Sequence, residues 1–359
     1  MLLRTISTLV FILLFTLSSQ AQETKITPYG NIRLAYVGNT DNLTGIGNSG
    51  DPDSDFFAVR IRYGMNIQLN EQSSFKARLA GQFRDYTDNL SFSLKADGGG
   101  LNHGTLSFDE FYYQNKNAFS TLKIGRFQHT VAILSNAQRS GFRFQSNSVN
   151  VHWSDGLYWK NKFTSEWYTE LILESQPKNN TTYPYRSGLN FGNADHNITS
   201  YFGLENRTRD ENNFIQKGFG VFVAPNAYQK GGDYTTYALV MSRAAVDIPR
   251  PGLLSGGSIR FAGELGQNLN NELSAGTNAI ISAGINRYDN KHDFMIEFSR
   301  TDREWLTGTA YAAASEELEI RYKYYINNKL NMDARYRARH SDSSSDMIFS
   351  TFVRLTYSL

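Results

Sequence analysis

The 359-residue sequence predicts an all-β fold, a transmembrane antiparallel β-barrel of about sixteen strands with short periplasmic turns and long external loops. Three observations predict it. Apolar and polar residues alternate in many segments, one such segment runs to the last residue, and the connections between segments are alternately short and long. Alternation with a period of two is typical of strands with one apolar and one polar face, and segments of roughly 9–11 residues suit a tilted membrane strand.

The final segment, 349–359, keeps this alternation up to the carboxyl terminus. One series of side chains is Phe349, Thr351, Val353, Leu355, Tyr357 and Leu359, and the opposite series is Ser350, Arg354, Thr356 and Ser358. Phe352 is the one apolar residue in the polar series. Chain ends of soluble domains tend to fray. A regular strand at the end therefore indicates a barrel whose last strand closes against its first.

The amino terminus has the features of a secretory signal peptide. Arg4 precedes an apolar run at 9–17, and Ser19-Gln20-Ala21 matches the small-x-small cleavage pattern. Residues 1–21 are therefore predicted to be a cleaved signal peptide. The apolar run is short for a spanning helix, which needs ~20 residues. Residues 22–359 show no linker-like change in composition and are predicted to form one outer-membrane barrel domain.

Composition supports the same fold class. The chain has no cysteine, which excludes disulfides, thiolate zinc sites and cysteine nucleophiles. Aromatic residues make up 14% of the chain, yet its mean hydropathy is negative. A barrel explains this combination, because aromatic girdles and a lipid-facing surface accompany a polar interior and polar loops. A secreted β-sandwich or β-solenoid is the alternative.

Alternation and turn residues together place sixteen strands along the chain. They are predicted at 28–37, 59–69, 75–83, 105–115, 121–127, 156–163, 166–175, 198–208, 214–223, 234–243, 258–267, 280–288, 293–300, 317–326, 330–339 and 349–359. The long connections are 38–54, 87–104, 128–155, 176–197 and 301–314, and the connections at 224–233 and 243–254 are ambiguous. The latter is predicted to be an unusually long turn containing PRPG at 249–252.

Four short motifs resemble the Gram-negative outer-membrane porin superfamily, in particular its general diffusion porins. They are YGNIRL at 29–34, DEFYY at 109–113, LKIGRF at 122–127 and DGLYW at 155–159. The resemblance implies a homotrimer in the cell outer membrane. The chain departs from the family pattern by ending in Ser358-Leu359 instead of an aromatic residue, and by lacking an acidic cluster in the third loop. A resemblance to phosphate-selective porins, or to porins that export acidic polysaccharides, is an alternative that the sequence leaves open.

The inward face of the predicted strands is rich in charge. The residues predicted to line the pore are Arg33, Arg60, Arg62, Lys76, Arg78, Arg126, Arg260, Glu264, Glu317, Glu319, Arg321, Lys323, Asp333, Arg335, Arg337 and Arg354. Since the first and last strands are neighbours in a closed barrel, the arginines of both ends of the chain can form one basic wall, which favours anions. The alternative is that the arginines pair with inward carboxylates and hold the wall together, with Glu264 near Arg260 and Asp333 near Arg335.

The third loop, 128–155, is the candidate pore constriction because it is the longest connection. It carries Arg139 and Arg143 as candidate constriction residues, and its apolar content favours a segment packed inside the barrel. The alternative is an external loop packed on neighbouring loops.

These features predict a water-filled channel for passive diffusion of small hydrophilic solutes and ions, with a mild preference for anions and with outer-membrane lipid around it. Two alternatives remain: a specific channel for phosphate or an acidic oligosaccharide, and a barrel that serves adhesion or surface structure. No enzyme is predicted, because hydrolase motifs are lacking and adjacent residues such as Asp109 and Glu110 point to opposite faces of a strand. No cofactor, metal site or nucleic-acid surface is predicted, and the Asp-containing loops 41–55 and 342–346 are expected to be solvated.

Overall fold

Residues that alternate in polarity form strands throughout the described chain. The computed structural model describes residues 24–40, 55–85, 90–92, 101, 103–129, 131–141, 153–177, 196–230, 233–249, 257–270, 276–305, 314–342 and 347–359. The predicted signal peptide, 1–21, lies outside these ranges. No helix within them is long and apolar enough to cross a membrane.

Seventeen strands are present in the described part of the chain. They are β1 (Lys25–Thr40), β2 (Phe56–Gln68), β3 (Ser73–Arg84), β4 (Ser91–Phe92), β5 (Thr105–Lys116), β6 (Ser120–Phe127), β7 (Ser154–Lys162), β8 (Trp167–Pro177), β9 (His196–Asn206), β10 (Phe214–Lys230), β11 (Asp233–Pro249), β12 (Ser258–Asn268), β13 (Thr277–Tyr288), β14 (His292–Thr301), β15 (Ser315–Tyr325), β16 (Leu330–Ser341) and β17 (Met347–Ser358).

Sixteen of these strands form a closed antiparallel barrel. Each pairs with the next along the chain, and β3 pairs directly with β5. The short β4 pairs in parallel with β5 and is not a strand of the wall. The first and last strands close the barrel, with register from Asn31 opposite Ser358 to Thr40 opposite Phe349. The predicted strand number and the predicted closure are confirmed.

The predicted strands overlap the observed ones throughout, and the largest differences are at β10 and β11. Both β10 and β11 are 17 residues long and continue past their predicted ends. They pair from Phe214 opposite Val246 to Lys230 opposite Asp233, with a register irregularity between Ala224 and Tyr228. The long turn predicted after residue 243 was therefore wrong, because β11 continues to Pro249 and pairs there with β12. The pairing satisfies backbone groups that a loop would leave exposed.

The outer surface of the barrel is a belt of exposed apolar side chains. On β2 the belt includes Ile61, Tyr63 and Met65, each more than two-fifths exposed. On β17 the belt includes Val353 and Leu355, as the alternation predicted. Soluble monomers rarely expose so much continuous apolar surface, so the belt indicates an apolar environment around the barrel.

Phe352 points inward, as its place in the polar series required. Its side chain is 3% exposed and packs with Ala35, Phe56 and Ala58. The guanidinium of Arg335 lies 4.1 Å from its ring centroid. An inward aromatic residue is therefore covered by a cation instead of facing water.

The largest apolar cluster lies inside the barrel, against one side of the wall. It combines inward side chains of β5 to β11 with Val131 and Trp305 from two loops. Its aromatic members are Tyr112, Phe127, Tyr158, Tyr201, Phe222, Tyr237 and Trp305. One side of the interior is therefore packed with aromatic and apolar side chains.

Candidate functional site

The inward series of each strand can be identified from its exposed neighbours, because successive residues alternate and directly paired residues share a face. In β15, Leu318 and Ile320 are exposed on the outside, so Glu317 and Glu319 point inward. The same test places nearly all residues predicted to line the pore on the inward face: Arg33, Arg60, Arg62, Lys76, Arg78, Arg260, Glu264, Glu317, Glu319, Arg321, Lys323, Asp333, Arg335, Arg337 and Arg354.

Arg126 is the one residue of the predicted pore lining that this test does not place on the inward face. It forms an ion pair with a neighbouring strand of the wall. Its guanidinium makes a two-point ion pair with Asp155, at 2.8 and 3.0 Å, and lies 4.5 Å from the ring centroid of Trp153. The preceding Gly125 has φ +123°, and a Cβ at that position would lie 2.5 Å from the Phe111 carbonyl oxygen. Glycine is therefore required by the backbone at this point, and the charge of Arg126 is already compensated.

Residues 131–141 of the third loop lie inside the barrel. Ile133 is fully buried among Ala245, Ala262 and Ile280, the inward residues of β11, β12 and β13. The Gln216 side chain of β10 accepts a hydrogen bond from the Leu134 amide at 2.7 Å and donates to the Ala132 carbonyl at 2.9 Å. These contacts agree with the prediction of a loop packed inside the barrel. Arg143, the second predicted loop residue, lies outside the described residues.

Arg139 anchors the loop to buried carboxylates of the wall. Its guanidinium forms ion pairs with Glu297 of β14 and, at 2.9 Å, with Glu319 of β15. Arg337 of β16 continues the chain of charges, at 2.8 Å from Glu319 and 3.1 Å from Glu317. The loop therefore brings a cation to an acidic wall.

A second anchor involves Glu264 of β12. Its carboxylate accepts hydrogen bonds from the Ser140 hydroxyl at 2.8 Å and from the Gly141 amide at 2.7 Å, and it lies 3.5 Å from the Arg243 guanidinium. The expected proximity of Glu264 to Arg260 is wrong, since Arg260 pairs instead with Asp247 at 3.3 Å. Glu264 therefore fixes the loop and does not balance Arg260.

Asp109 and Glu110 both contact Arg78, contrary to the expectation that they point to opposite faces. The guanidinium of Arg78 lies 2.9 Å from Asp109 and 3.2 Å from Glu110. The pairing of β3 with β5 shifts register at this point, between Arg78 and Leu79. A bulge adds one residue to a strand and breaks its alternation, so two successive carboxylates can serve one cation. Asp109 also pairs with Arg62 at 2.7 Å.

The arginines from the two ends of the chain meet where β1 and β17 close the barrel. Arg33 of β1 lies opposite Arg60 of β2, and β17 places Arg354 beside them. One carboxylate, Asp333, is shared by Arg354 at 3.4 Å and Arg321 at 2.6 Å. The predicted basic wall is therefore a real spatial cluster, interrupted by ion pairs with Asp109 and Asp333.

Water reaches the inward charges unequally. Six carboxylates of β12–β16 are buried, with 1% to 7% of their surface exposed: Glu264, Asp293, Glu297, Glu317, Glu319 and Asp333. Arg60, Arg62 and Arg354 are equally buried. However, several inward cations are half-buried: Arg33, Lys76, Arg260, Lys323, Arg335, Arg337 and Arg339. Within the described residues, the charge that water contacts inside the barrel is therefore mainly positive.

Inward lysines and tyrosines form a row on β3 to β7. Lys76 of this row was predicted to line the pore, whereas Tyr112, Lys123 and Tyr158 were not predicted as part of the site. Lys76 lies 6.0 Å and Lys123 lies 5.2 Å from the ring centroid of Tyr112. Lys123 is also 5.2 Å from the ring of Tyr158. The signal in the sequence is an aromatic residue at a position in the polar series, the same signal that marked Phe352. These rings shield the lysine charges from one another.

Two titratable groups outside the strands have shifted pKa values. Burial, with a smaller effect from the nearby Arg84 charge, lowers the pKa of His103 to about 4, so this imidazole is neutral at pH 7. In the connection between β9 and β10, the hydrogen bond from the Lys217 ammonium lowers the pKa of Asp210. Within the described residues, no group of three or more acidic or histidine side chains is arranged to hold a metal ion.

The geometry of the wall can be compared with solved structures. OprB of Pseudomonas putida is similar over 93% of this chain and 94% of its own, with TM-score 0.61 and 11% identity. A Rhodopseudomonas blastica porin with three substitutions is similar over 93% of this chain and 100% of its own, with TM-score 0.53 and 10% identity. This chain has the porin fold. At 10–11% identity this similarity shows the fold alone. The charged interior is described here from the residues of this chain.

No protein-family model matches the sequence, and no curated protein matches it at a significant level.

Proposed function

We propose that this protein is an outer-membrane porin, a water-filled channel for passive diffusion of small hydrophilic solutes with a mild preference for anions. The observation that carries the proposal is a closed barrel whose outer face is apolar and whose interior is charged. An apolar belt around a closed barrel suits lipid, because no backbone group is left without a partner in the hydrocarbon. A charged interior suits water and ions.

The inward residues predicted from the sequence are proposed as the pore lining, with the third loop as the constriction. Arg139, Ser140 and Gly141 hold the loop against buried carboxylates, which removes those carboxylates from the water path. The half-buried cations on the remaining wall then set the local potential. The preference is mild because Asp109 and Asp333 compensate part of the arginine charge.

Export by the predicted signal peptide and assembly as a homotrimer are also proposed. The first rests on the amino-terminal sequence and the second on the resemblance to porins. Amino-terminal sequencing of protein from outer membranes should begin at Gln22, and chemical cross-linking should yield three-subunit products.

The decisive experiment is single-channel recording of the refolded protein in a planar bilayer, with the reversal potential measured across a KCl gradient. We expect a steady conductance and a reversal potential displaced toward that of chloride. A silent barrel would contradict the channel, and a reversal potential displaced toward potassium would contradict the anion preference alone.

A further inference from the structure

The third loop is held at one point by a residue from a different connection. Trp305 follows β14, in the long connection predicted at 301–314. It is 1% exposed and belongs to the apolar cluster inside the barrel. Its indole N–H donates a hydrogen bond to the Gly141 carbonyl of the third loop, at 2.6 Å. The anchors of the loop described above come from wall strands, whereas this contact joins two connections.

Trp305 extends from a turn that is attached to the ends of two wall strands. The Trp305 amide donates to the Asp302 carbonyl at 3.2 Å, which closes the turn 302–305. The Asp302 carboxylate accepts hydrogen bonds from the Thr277 amide, at 3.1 Å, and from the Thr277 hydroxyl. The Asn268 side chain donates to the Glu304 carbonyl at 3.2 Å. The last residue of β12 and the first residue of β13 therefore hold the turn from which the indole enters the interior.

Strand β12 provides both a seat for the indole and the second partner of Gly141. Glu264 and Gly266 share the inward face of this strand, two positions apart. A Cβ at Gly266 would overlap the Trp305 ring, so the ring occupies the space that this glycine leaves. The Glu264 carboxylate accepts a hydrogen bond from the Gly141 amide at 2.7 Å. Both polar backbone groups of Gly141 are thus engaged, the N–H by the wall and the carbonyl by Trp305.

The position of Gly141 bears on the rest of the docked loop. Arg139 and Ser140 directly precede it and contact buried carboxylates of the wall. Taking a donor away from a buried carbonyl is unfavourable, because the carbonyl then gains by moving toward water. Without the indole N–H, the loop should therefore leave its docked position more often.

We propose that Trp305 is a positioning residue of the constriction, which holds the third loop in its docked position and thereby keeps the channel at one main conductance. The constriction is then built from two connections, the third loop and the turn 302–305. The inference rests on the proposed function, because it gives Trp305 a role in a conducting channel. It adds that a turn at the end of the barrel with the long connections is coupled to the loop inside the barrel.

The test is single-channel recording in KCl of the refolded full-length protein and its variants. The measured quantity is the fraction of time that the channel spends outside its main conductance level. Trp305→Phe keeps a ring against Gly266 but removes the N–H donor, and it should raise this fraction about fivefold through the loss of one hydrogen bond. Trp305→Ala removes the ring as well and should raise the fraction further.

Gly266→Ala tests the same contact from the wall. It leaves Trp305 in the chain but displaces its ring, and it should raise the fraction as Trp305→Phe does. In the double variant Gly266→Ala/Trp305→Ala, the first substitution should add nothing, because the ring that it displaces is absent. An effect of Gly266→Ala that persists without Trp305 would overturn the inference.

The matched control is Leu239→Ala, which removes a fully buried side chain of the same apolar cluster from β11 but no hydrogen-bond donor. We expect it to lower the urea concentration at half-unfolding and to leave the fraction unchanged. Equal increases in Leu239→Ala and Trp305→Phe would indicate a general effect of packing and overturn the inference.

The same recordings separate this inference from the proposed channel. If the wild type conducts and the Trp305 variants stay at its main conductance level, the inference is overturned and the channel is retained. A silent wild type overturns both.

Discussion

At the scale of single residues, the role of an inward arginine depends on which carboxylate it can reach. Arg335 and Arg337 point to the same side of β16, two positions apart. Arg337 contacts two buried carboxylates, Glu317 and Glu319. Arg335 lies over Phe352 and, within the described residues, has no carboxylate oxygen within 4.0 Å. Arg337 is therefore expected to stabilise the wall, and Arg335 is expected to act on ions in the water.

Arg335→Gln is expected to lower the anion preference and leave stability nearly unchanged. The substitution removes a half-buried charge that, within the described residues, has no carboxylate oxygen within 4.0 Å. The reversal potential across a KCl gradient should move toward zero, while the urea concentration at half-unfolding stays within error of the wild type. An unchanged reversal potential would show that this charge does not face the ion path.

Arg337→Gln is expected to show the opposite pattern. Two buried carboxylates each lose a cation, and uncompensated buried charge destabilises a fold. The free energy of unfolding should fall by about 2 kcal/mol. Urea unfolding in detergent, followed by tryptophan fluorescence, measures it. Stability equal to that of Arg335→Gln would contradict the difference in roles.

At the scale of elements, the third loop and the β5 bulge are held by contacts distant in sequence. The loop docks through Arg139 on β14 and β15, more than 150 residues away along the chain. The bulge lets Asp109 and Glu110 serve Arg78 together. Both elements combine an irregular backbone with buried ion pairs, so their geometry depends on charge as well as on packing.

Arg139→Gln is expected to loosen the third loop. Removing the cation leaves Glu297 and Glu319 with less positive charge around them, at a cost of about 3 kcal/mol. Open-channel current noise should rise, because the loop then samples more positions in the pore. The double variant Arg139→Gln/Glu297→Gln removes a charge from each side and should recover part of the lost stability. No recovery would argue against a direct Arg139–Glu297 interaction.

Gly125→Ala is expected to destabilise the hairpin of β5 and β6. Its φ of +123° is unfavourable for alanine, and the added Cβ would meet the Phe111 carbonyl oxygen at 2.5 Å. The cost should be about 2 kcal/mol or more. Gly263→Ala is the control, because its Cβ meets only the Ile280 carbonyl oxygen, at 3.2 Å. Equal losses of stability in the two variants would contradict the conformational argument.

At the scale of the whole molecule, closure of the barrel joins the two ends of the chain. The pairing of β1 with β17 gives both strands a second partner and leaves the sheet without an edge. It also brings the amino-terminal and carboxyl-terminal arginines into one cluster. Closure therefore determines both the stability of the wall and the charge of the interior.

A cysteine pair across the closure should form a disulfide on oxidation. Leu34 lies opposite Leu355, both on the outer face, and the chain has no other cysteine to compete. Directly opposed Cα atoms lie about 4.5–5.5 Å apart, within the reach of a disulfide. The variant Leu34→Cys/Leu355→Cys should shift in mobility on a non-reducing gel.

The control Leu34→Cys/Thr351→Cys should not shift, because its second cysteine is four positions out of register. Cross-linking of both pairs, or of neither, would contradict the observed closure.

Much of this architecture could be predicted because a strand is recognisable from a short stretch of sequence, by the alternation of apolar and polar residues. A period of two in polarity distinguishes the two faces of a strand, so the sixteen wall strands and the closing strand were correctly predicted. Strand β11 was predicted too short because proline and glycine near residue 250 suggested an earlier turn. The observed β11 ends at Pro249, where a strand can tolerate proline.

The sequence by itself thus determined the strands, their faces and the order of short and long connections. Only the tertiary structure decided which charges meet: Arg139 with Glu297, Glu264 with the loop backbone, and Arg260 with Asp247. Alternation assigns a side chain to a face but gives neither its height in the barrel nor its partner across it. Those depend on register between strands, on one bulge and on a loop folded inward, and each of these is set by contacts between residues distant in the chain.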